Sequence, residues 1–176
     1  MNLLLSIILT LSTYSFTEKS YNEKLCKLES NCDQYAVNQY GYLGKYQFGH
    51  AALSDIGFKT RKGKWVGRLG VDSSKQFLAN LEAQEVAIKE WNRLLDRRLV
   101  QCGATKKIGE YFREVKLGKY NLRAASHLLG ASYVCRLVRG KAKIKKDANG
   151  TSVMKYLKEF EWYLKLDNIG NTKIKI

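Results

Sequence analysis

Apolar residues return at intervals of three and four through most of this chain, and long alternating strand patterns are scarce, so a mainly α fold is expected. No proline interrupts those intervals in the 176 residues. With 45% apolar content, that length is most simply one globular domain around a single core. No internal repeat or second domain is visible.

Taken in order, Ser20-Tyr21-Asn22-Glu23 has capping-box spacing and places a helix start near Tyr21. Tyr21, Leu25 and Leu28 then share one face. Residues 31–48 lose the helical period, hold several glycines, and read as loop with short extended segments. Ala51, Ala52, Leu53 and Ile56 make a short helix closed by Gly57. Lys59 to Asp72 is basic and Gly-rich: an irregular surface excursion or a hairpin, with Trp65, Val66 and Leu69 as its anchors. Ser73 or Ser74 can cap a helix into Phe77 and Leu78. A longer helix follows through Leu81, Ala87, Trp91, Leu95 and Leu99 and stops at Cys102-Gly103, with Trp91 reading as core. Gly109 to Lys119 suggests a short turn or helix. Asn121 is expected to cap a helix carrying Leu122, Ala125, Leu128, Leu129 and Tyr133 as far as Gly140. After the basic connector Lys141 to Lys146, Thr151 or Ser152 opens the last helix. Its apolar stripe is Val153, Tyr156, Leu157 and Phe160, and the polar tail after Asp167 is expected to fray.

Nothing before Glu18 carries a side-chain charge, so the formal net charge of +15 arises entirely after Phe16. Such a balance points to an anionic partner, whether nucleic acid, anionic lipid or an acidic polymer. A lysine-favouring, AT-rich genome would instead leave much of it as solvated surface. The apolar run Leu3 to Leu11 is shorter than the ~20 residues that a bilayer span requires. It fits the hydrophobic region of a secretory signal. Residues 1–15 are therefore expected to direct export to a periplasm or the extracellular space, leaving 16–176 as the working domain. No Lys or Arg precedes the run and Thr13-Tyr14-Ser15 is a weak cleavage site, so an uncleaved anchor or a buried first helix is the alternative.

Cys26, Cys32, Cys102 and Cys135 suit two disulfides in an exported protein. Spacing does not choose among the three possible pairings, and four small buried apolar side chains are the plainer reading. No Cys-x-x-Cys pair or Cys/His cluster occurs, so neither a metal site nor a cofactor is expected. Asp147 lacks the acidic spacing of a calcium loop.

The most informative stretch runs from Leu28 to Gly57. Glu29 lies four residues beyond Leu25, at the edge of the buried face and in the last turn, where the helix dipole is negative. Both effects favour the protonated acid. An acid on a helix end, facing a loop of aromatic, amide and glycine residues, suits a polysaccharide site.

This stretch resembles the first active-site block of the soluble lytic transglycosylase and goose-type lysozyme superfamily, which cleaves the glycan strands of bacterial peptidoglycan. The matching residues are Glu29-Ser30, Ala36-Val37-Asn38, Gly41, Gly44, Gln47 and Ile56-Gly57. Gly41 to Gly49 is closer to the phage-type and secretion-associated branch. Ala124 to Gly130, Asp147 to Ser152 and the pair Gln84-Glu85 are similar to that branch too, so the resemblance spans residues 22–160. It implies a lysozyme-like single domain with irregular loops and a short hairpin, its cleft between the Glu29 helix and the later helical part.

The resemblance further implies that Glu29 protonates the oxygen between N-acetylmuramic acid and N-acetylglucosamine. The carboxylate then deprotonates the muramic acid C6 hydroxyl, which attacks C1 and gives a 1,6-anhydro product. One acid/base can suffice because the nucleophile is intramolecular. Gln47 would offer its amide to the acid or the N-acetyl group, and Tyr46 a ring face and hydroxyl to the same sugar. Ser30 matches a family position, His127 could line the cleft, and Tyr156 could approach it. Plainer readings stand beside these: local bonding for Ser30, core packing for Tyr46, a structural role for His127. Where the broad superfamily has a Tyr-Asn pair facing the acid, this chain has Ser126-His127.

The implied partners are peptidoglycan strands and a secretion or phage-type assembly, with the chain monomeric and no nucleic acid involved. Lysozyme-type hydrolysis of the same bond is the nearest alternative. It usually takes a second carboxylate, and the best candidates, Asp33 and Asp55, sit in no second-acid motif. An inactive wall-binding module is disfavoured by the presence of Glu29. A basic nucleic-acid-binding module lacks any recognised motif.

Overall fold

The computed structural model describes residues 17–163. The expected export segment 1–15 and the tail after Asp167 lie outside them. The described residues are mainly helical, as expected. They group into two compact units: a loop unit, residues 22–94, and a helical unit formed by 17–21 together with 95–163. Among them, no helix is long and apolar enough to cross a membrane.

The first helix, α1, covers 17–30. Ser20 therefore lies inside it rather than capping it, and its hydroxyl meets the Tyr163 hydroxyl at 3.1 Å. In the loop unit, α2 (His50–Asp55) and α3 (Ser74–Ala79) are one-and-a-half-turn helices. α3 is capped by Ser73, whose hydroxyl accepts from the Gln76 amide at 3.3 Å. Asn80 ends α3 and caps α4 (Leu81–Gln101), accepting from the Ala83 amide at 2.9 Å. The core of this unit is aromatic. Phe77, fully buried, has Phe48 at 6.1 Å, Phe58 at 5.7 Å and Trp65 at 5.7 Å between ring centroids.

The excursion 59–72 contains one antiparallel bridge, Lys59 to Trp65. Two of its three expected anchors are wrong. Val66 is 49% and Leu69 45% exposed, while Val71 is fully buried. The excursion is also tied down by Arg68, which forms a two-pronged pair with Glu90 at 2.6 and 2.7 Å.

In the helical unit, α4 runs out at Gly103, which adopts φ 77°. The stretch 109–118 is not helix but a small hairpin, β1 (Tyr111–Phe112) against β2 (Val115–Lys116). α5 (Lys119–Leu129) and α6 (Ala131–Leu137) replace the single expected helix. Gly130, at φ 81° and ψ 145°, breaks it. Asn121 lies in the first turn of α5 instead of preceding it. It reaches back to accept from the Gly118 amide at 2.8 Å and to donate to the Lys116 carbonyl at 2.8 Å. Ser152 caps α7 (Val153–Glu159), and the expected stripe Val153, Tyr156, Leu157 and Phe160 is buried.

α5 packs on both α6 and α7. Arg123 of α5 is 1% exposed and joins Glu18 at 2.7 and 3.0 Å and Asp96 at 2.8 Å. Its guanidinium lies 5.0 Å from the ring centres of Tyr21 and Tyr120. Burial alone would lower its pKa, but the hydrogen bonds it donates to Asp96 and Glu18 outweigh that and hold it above the usual arginine range. The cysteines pair as Cys26–Cys32 and Cys102–Cys135, one disulfide in each unit. Two disulfides fit an oxidising compartment.

Candidate active site

Glu29 occupies the last turn of α1 and is half-buried. The adjacent Ser30 hydroxyl donates to the Lys45 carbonyl at 2.9 Å, fastening this turn to the middle of the following loop. The chain leaves α1 through Asn31 and Cys32, both left-handed at φ 56° and 63°. Such a backbone is unusual for residues with a side chain, and the Cys26–Cys32 disulfide closes across it.

The loop 31–49 is irregular yet thoroughly bonded. The Asn38 side chain accepts from the Tyr40 and Tyr42 amides at 2.9 and 3.1 Å, closing a first turn. Leu43 then pairs with both Val37 and Phe48. A second turn, 44–47, starts at Gly44 (φ 73°) and ends at Gln47 (φ 48°). The Gln47 side-chain nitrogen donates to the Gly44 carbonyl at 2.9 Å and lies 3.5 Å from that of Ala36, so its donors are spent within the loop, while no donor among the described residues reaches its side-chain oxygen.

Beneath the loop lies Gln84 of α4, fully buried. Its oxygen accepts from the Lys45 amide at 2.8 Å. Its nitrogen lies 3.1 Å from the Gln34 and Phe77 carbonyls and 3.2 Å from that of Leu78. One amide thus satisfies backbone groups from two segments that form no ladder of their own. Next to it, Glu85 accepts from the Tyr46 hydroxyl with both oxygens at 3.1 Å and from the Lys45 ammonium at 2.7 Å. Burial, and after it the negative charge of Glu85, push the Tyr46 phenol well above the usual tyrosine range.

Four of the six expected site residues, Glu29, Ser30, Tyr46 and Gln47, fall within the loop unit. Tyr46 is a correction: its side chain is 1% exposed, so the ring is core and cannot offer a face to a sugar. The Ser30 hydroxyl lies near the Asp33 carbonyl at 3.3 Å and donates to that of Lys45, fifteen residues on, at 2.9 Å. His127 is half-buried in the last turn of α5 in the helical unit. Tyr156 is also corrected, being 3% exposed in the core of that unit, 6.3 Å from the Phe160 ring.

Sequence reasoning gave Gln84 and Glu85 no role. It also missed that the faces left outward on the loop belong to Tyr35, Tyr40 and Tyr42, 63%, 51% and 39% exposed. Their position in a polar loop with no helical period was the available signal. Among the described residues no group of three His, Cys, Asp or Glu is gathered as metal ligands would be. A cavity of about 280 Å³ in the helical unit, lined by Leu99, Val100, Ile108 and Leu122 among others, contains no expected site residue.

What the arrangement offers chemically is a half-buried carboxylate on a fastened helix end, followed by a stiff loop presenting tyrosine rings. A carboxyl so held can give and retake a proton. The exposed rings are amphipathic faces of the kind that stack on sugars. Comparison with protein-family models, curated proteins and solved structures returns no match.

Proposed function

We propose that this chain is a peptidoglycan lytic transglycosylase, exported to a periplasm or the extracellular space, in which Glu29 is the one acid/base. Glu29 donates its proton to the glycosidic oxygen on C4 of N-acetylglucosamine as the bond to C1 of N-acetylmuramic acid breaks. The carboxylate so formed takes the proton of the muramic acid C6 hydroxyl while that oxygen bonds to C1. Protons balance, and no water is consumed.

The observation that carries this reading is the fastening of the Glu29 turn to the Gly44–Gln47 turn through Ser30 and Lys45. A catalytic acid needs its position fixed to a fraction of an ångström, and here a loop that could be mobile is bonded internally instead. With its nitrogen held by the loop, the oxygen of Gln47 would accept from a substrate N–H. Glu85 favours hydrolysis as a second reading, since it is a further carboxylate in the same unit. Its oxygens are already engaged by Lys45 and Tyr46, however, which suits a supporting post better than an attack on C1 or on water. Mass spectrometry of digested sacculi tests the choice: anhydro ends for the lyase, reducing ends for the hydrolase, and neither from Glu29→Gln.

A further inference from the structure

Between α6 and α7 the chain reads Arg136-Leu-Val-Arg-Gly-Lys-Ala-Lys-Ile-Lys-Lys146. Arg136, Arg139, Lys141, Lys143, Lys145 and Lys146 are all exposed. Among the described residues none of the six has a carboxylate within salt-bridge distance, although Glu18, Glu85, Glu90, Asp96 and Glu114 are all paired elsewhere. Six like charges gathered on one segment, none bridged to a carboxylate among the described residues, repel one another.

The segment is also held in place. The Tyr133 hydroxyl donates to the Lys143 carbonyl at 2.6 Å, and the Val153 amide to the Lys145 carbonyl at 3.1 Å. The Lys141 amide donates to the Arg136 carbonyl at 2.8 Å. Ala142 and Ile144 are half-buried against the core of the helical unit, while Lys141, Lys143 and Lys145 face solvent. Burial alternates as on an extended strand, which spaces successive outward cations by about 7 Å.

We propose that residues 136–146 form a binding strip for a linear polyol-phosphate polymer of a cell envelope, a chain carrying one negative charge per short repeat. A row of pre-placed cations matches a row of phosphates and releases counterions on contact. Two other polyanions fit less well. The strip contains no aromatic side chain on which a base could stack, and both disulfides place the protein where nucleic acid is not the usual partner. Its apolar residues turn inward, so nothing in the strip would insert into a lipid surface. The strip is independent of the reading of Glu29 and rests only on export.

The test is binding of the full-length, oxidised protein to synthetic poly(glycerol phosphate) across a range of salt. A triple variant, Lys141→Gln, Lys143→Gln and Lys145→Gln, is compared with a control of equal charge loss, Lys62→Gln, Lys64→Gln and Lys75→Gln. The strip variant should bind at least about tenfold more weakly, and its log–log salt slope should fall by about 2, as expected for three lost phosphate contacts. The control should match the wild type. Equal weakening in both triples would reduce the strip to bulk charge and overturn the proposal. So would tighter binding to single-stranded DNA of equal phosphate content, or binding to phosphatidylglycerol vesicles without binding to the polymer. Glu29→Gln should bind the polymer as the wild type does, which keeps this result separate from any failure of the catalytic reading.

Discussion

Gly44 and Gln84 meet so closely that a methyl group on Gly44 would overlap the side-chain amide oxygen of Gln84. That same oxygen accepts the Lys45 amide at 2.8 Å. Gly44 also holds φ 73°, where any side chain is strained. Gly44→Ala should therefore cost about 1–3 kcal/mol, and Gln84→Ala a similar amount by leaving buried backbone groups unpaired. Urea unfolding gives both values, and faster hydrogen exchange at the Lys45 amide should accompany each. Unchanged exchange in both variants would mean that Gln84 does not organise the loop.

Tyr46 should leave a signature in alkaline solution. Its folded pKa is raised by burial and by Glu85, so the folded form keeps its proton where the unfolded chain, near pH 10, loses one. The stabilisation is complete below pH 10 and declines above it, by up to about 1.4 kcal/mol per pH unit. Tyr46→Phe lacks that decline. The stability difference between wild type and variant, measured at pH 9 and pH 11, should shift towards the variant at the higher pH; a constant difference would contradict the burial of the phenol beside Glu85.

Arg123 ought to be among the costliest positions in the helical unit. Removing it leaves Glu18 and Asp96 to the longer Lys119 contacts at 3.8 and 3.7 Å and opens space beside Tyr21 and Tyr120, so Arg123→Ala should cost about 2–5 kcal/mol. Glu18→Gln should cost distinctly less, because the Glu18 side chain retains 21% exposure. Denaturant melts of the two variants check the ranking.

The two disulfides should contribute unequally. Cys102–Cys135 spans 33 positions and Cys26–Cys32 only 6. By loop-closure entropy the first is worth about 4 kcal/mol and the second about 2 kcal/mol. Cys26→Ser with Cys32→Ser should nonetheless reduce activity more, because it loosens the exit from the Glu29 turn. Unfolding and sacculus-clearing assays on the two double variants separate these effects.

Where a single local rule governs, the fold was legible from residues alone. Ser73 and Ser152 cap their helices, Cys102-Gly103 ends α4, and the α7 stripe is buried as its spacing indicates. The failures are places where a competing contact wins. Ser20 has a cap's spacing, but the helix continues upstream of it. Gly130 was absorbed into a helical period that its own φ of 81° interrupts. The hairpin 111–116 has strands of two residues, too short for any alternation to register, and turns at Arg113, a non-glycine residue at φ 55°.

In the loop unit, the helix end at Glu29 and the glycine turns after it could be read from motif and position. Gln84 and Glu85 could not be assigned their partners, because each acts on residues some forty positions away. Tyr46 shows the limit of residue type as a guide. A tyrosine in the loop after the expected acid suggests a sugar platform, whereas Tyr46 is buried and the exposed rings of that loop are Tyr35, Tyr40 and Tyr42.

The central claim is that one carboxyl, Glu29, both gives and retakes the proton that cleaves a muramic acid linkage. Mass spectrometry of muropeptides released from purified sacculi by the wild type, Glu29→Gln and Glu85→Gln tests it most directly. The account predicts 1,6-anhydromuramic ends from the wild type and from Glu85→Gln, and no release by Glu29→Gln. Release that survives Glu29→Gln, or reducing ends lost in Glu85→Gln, would contradict it.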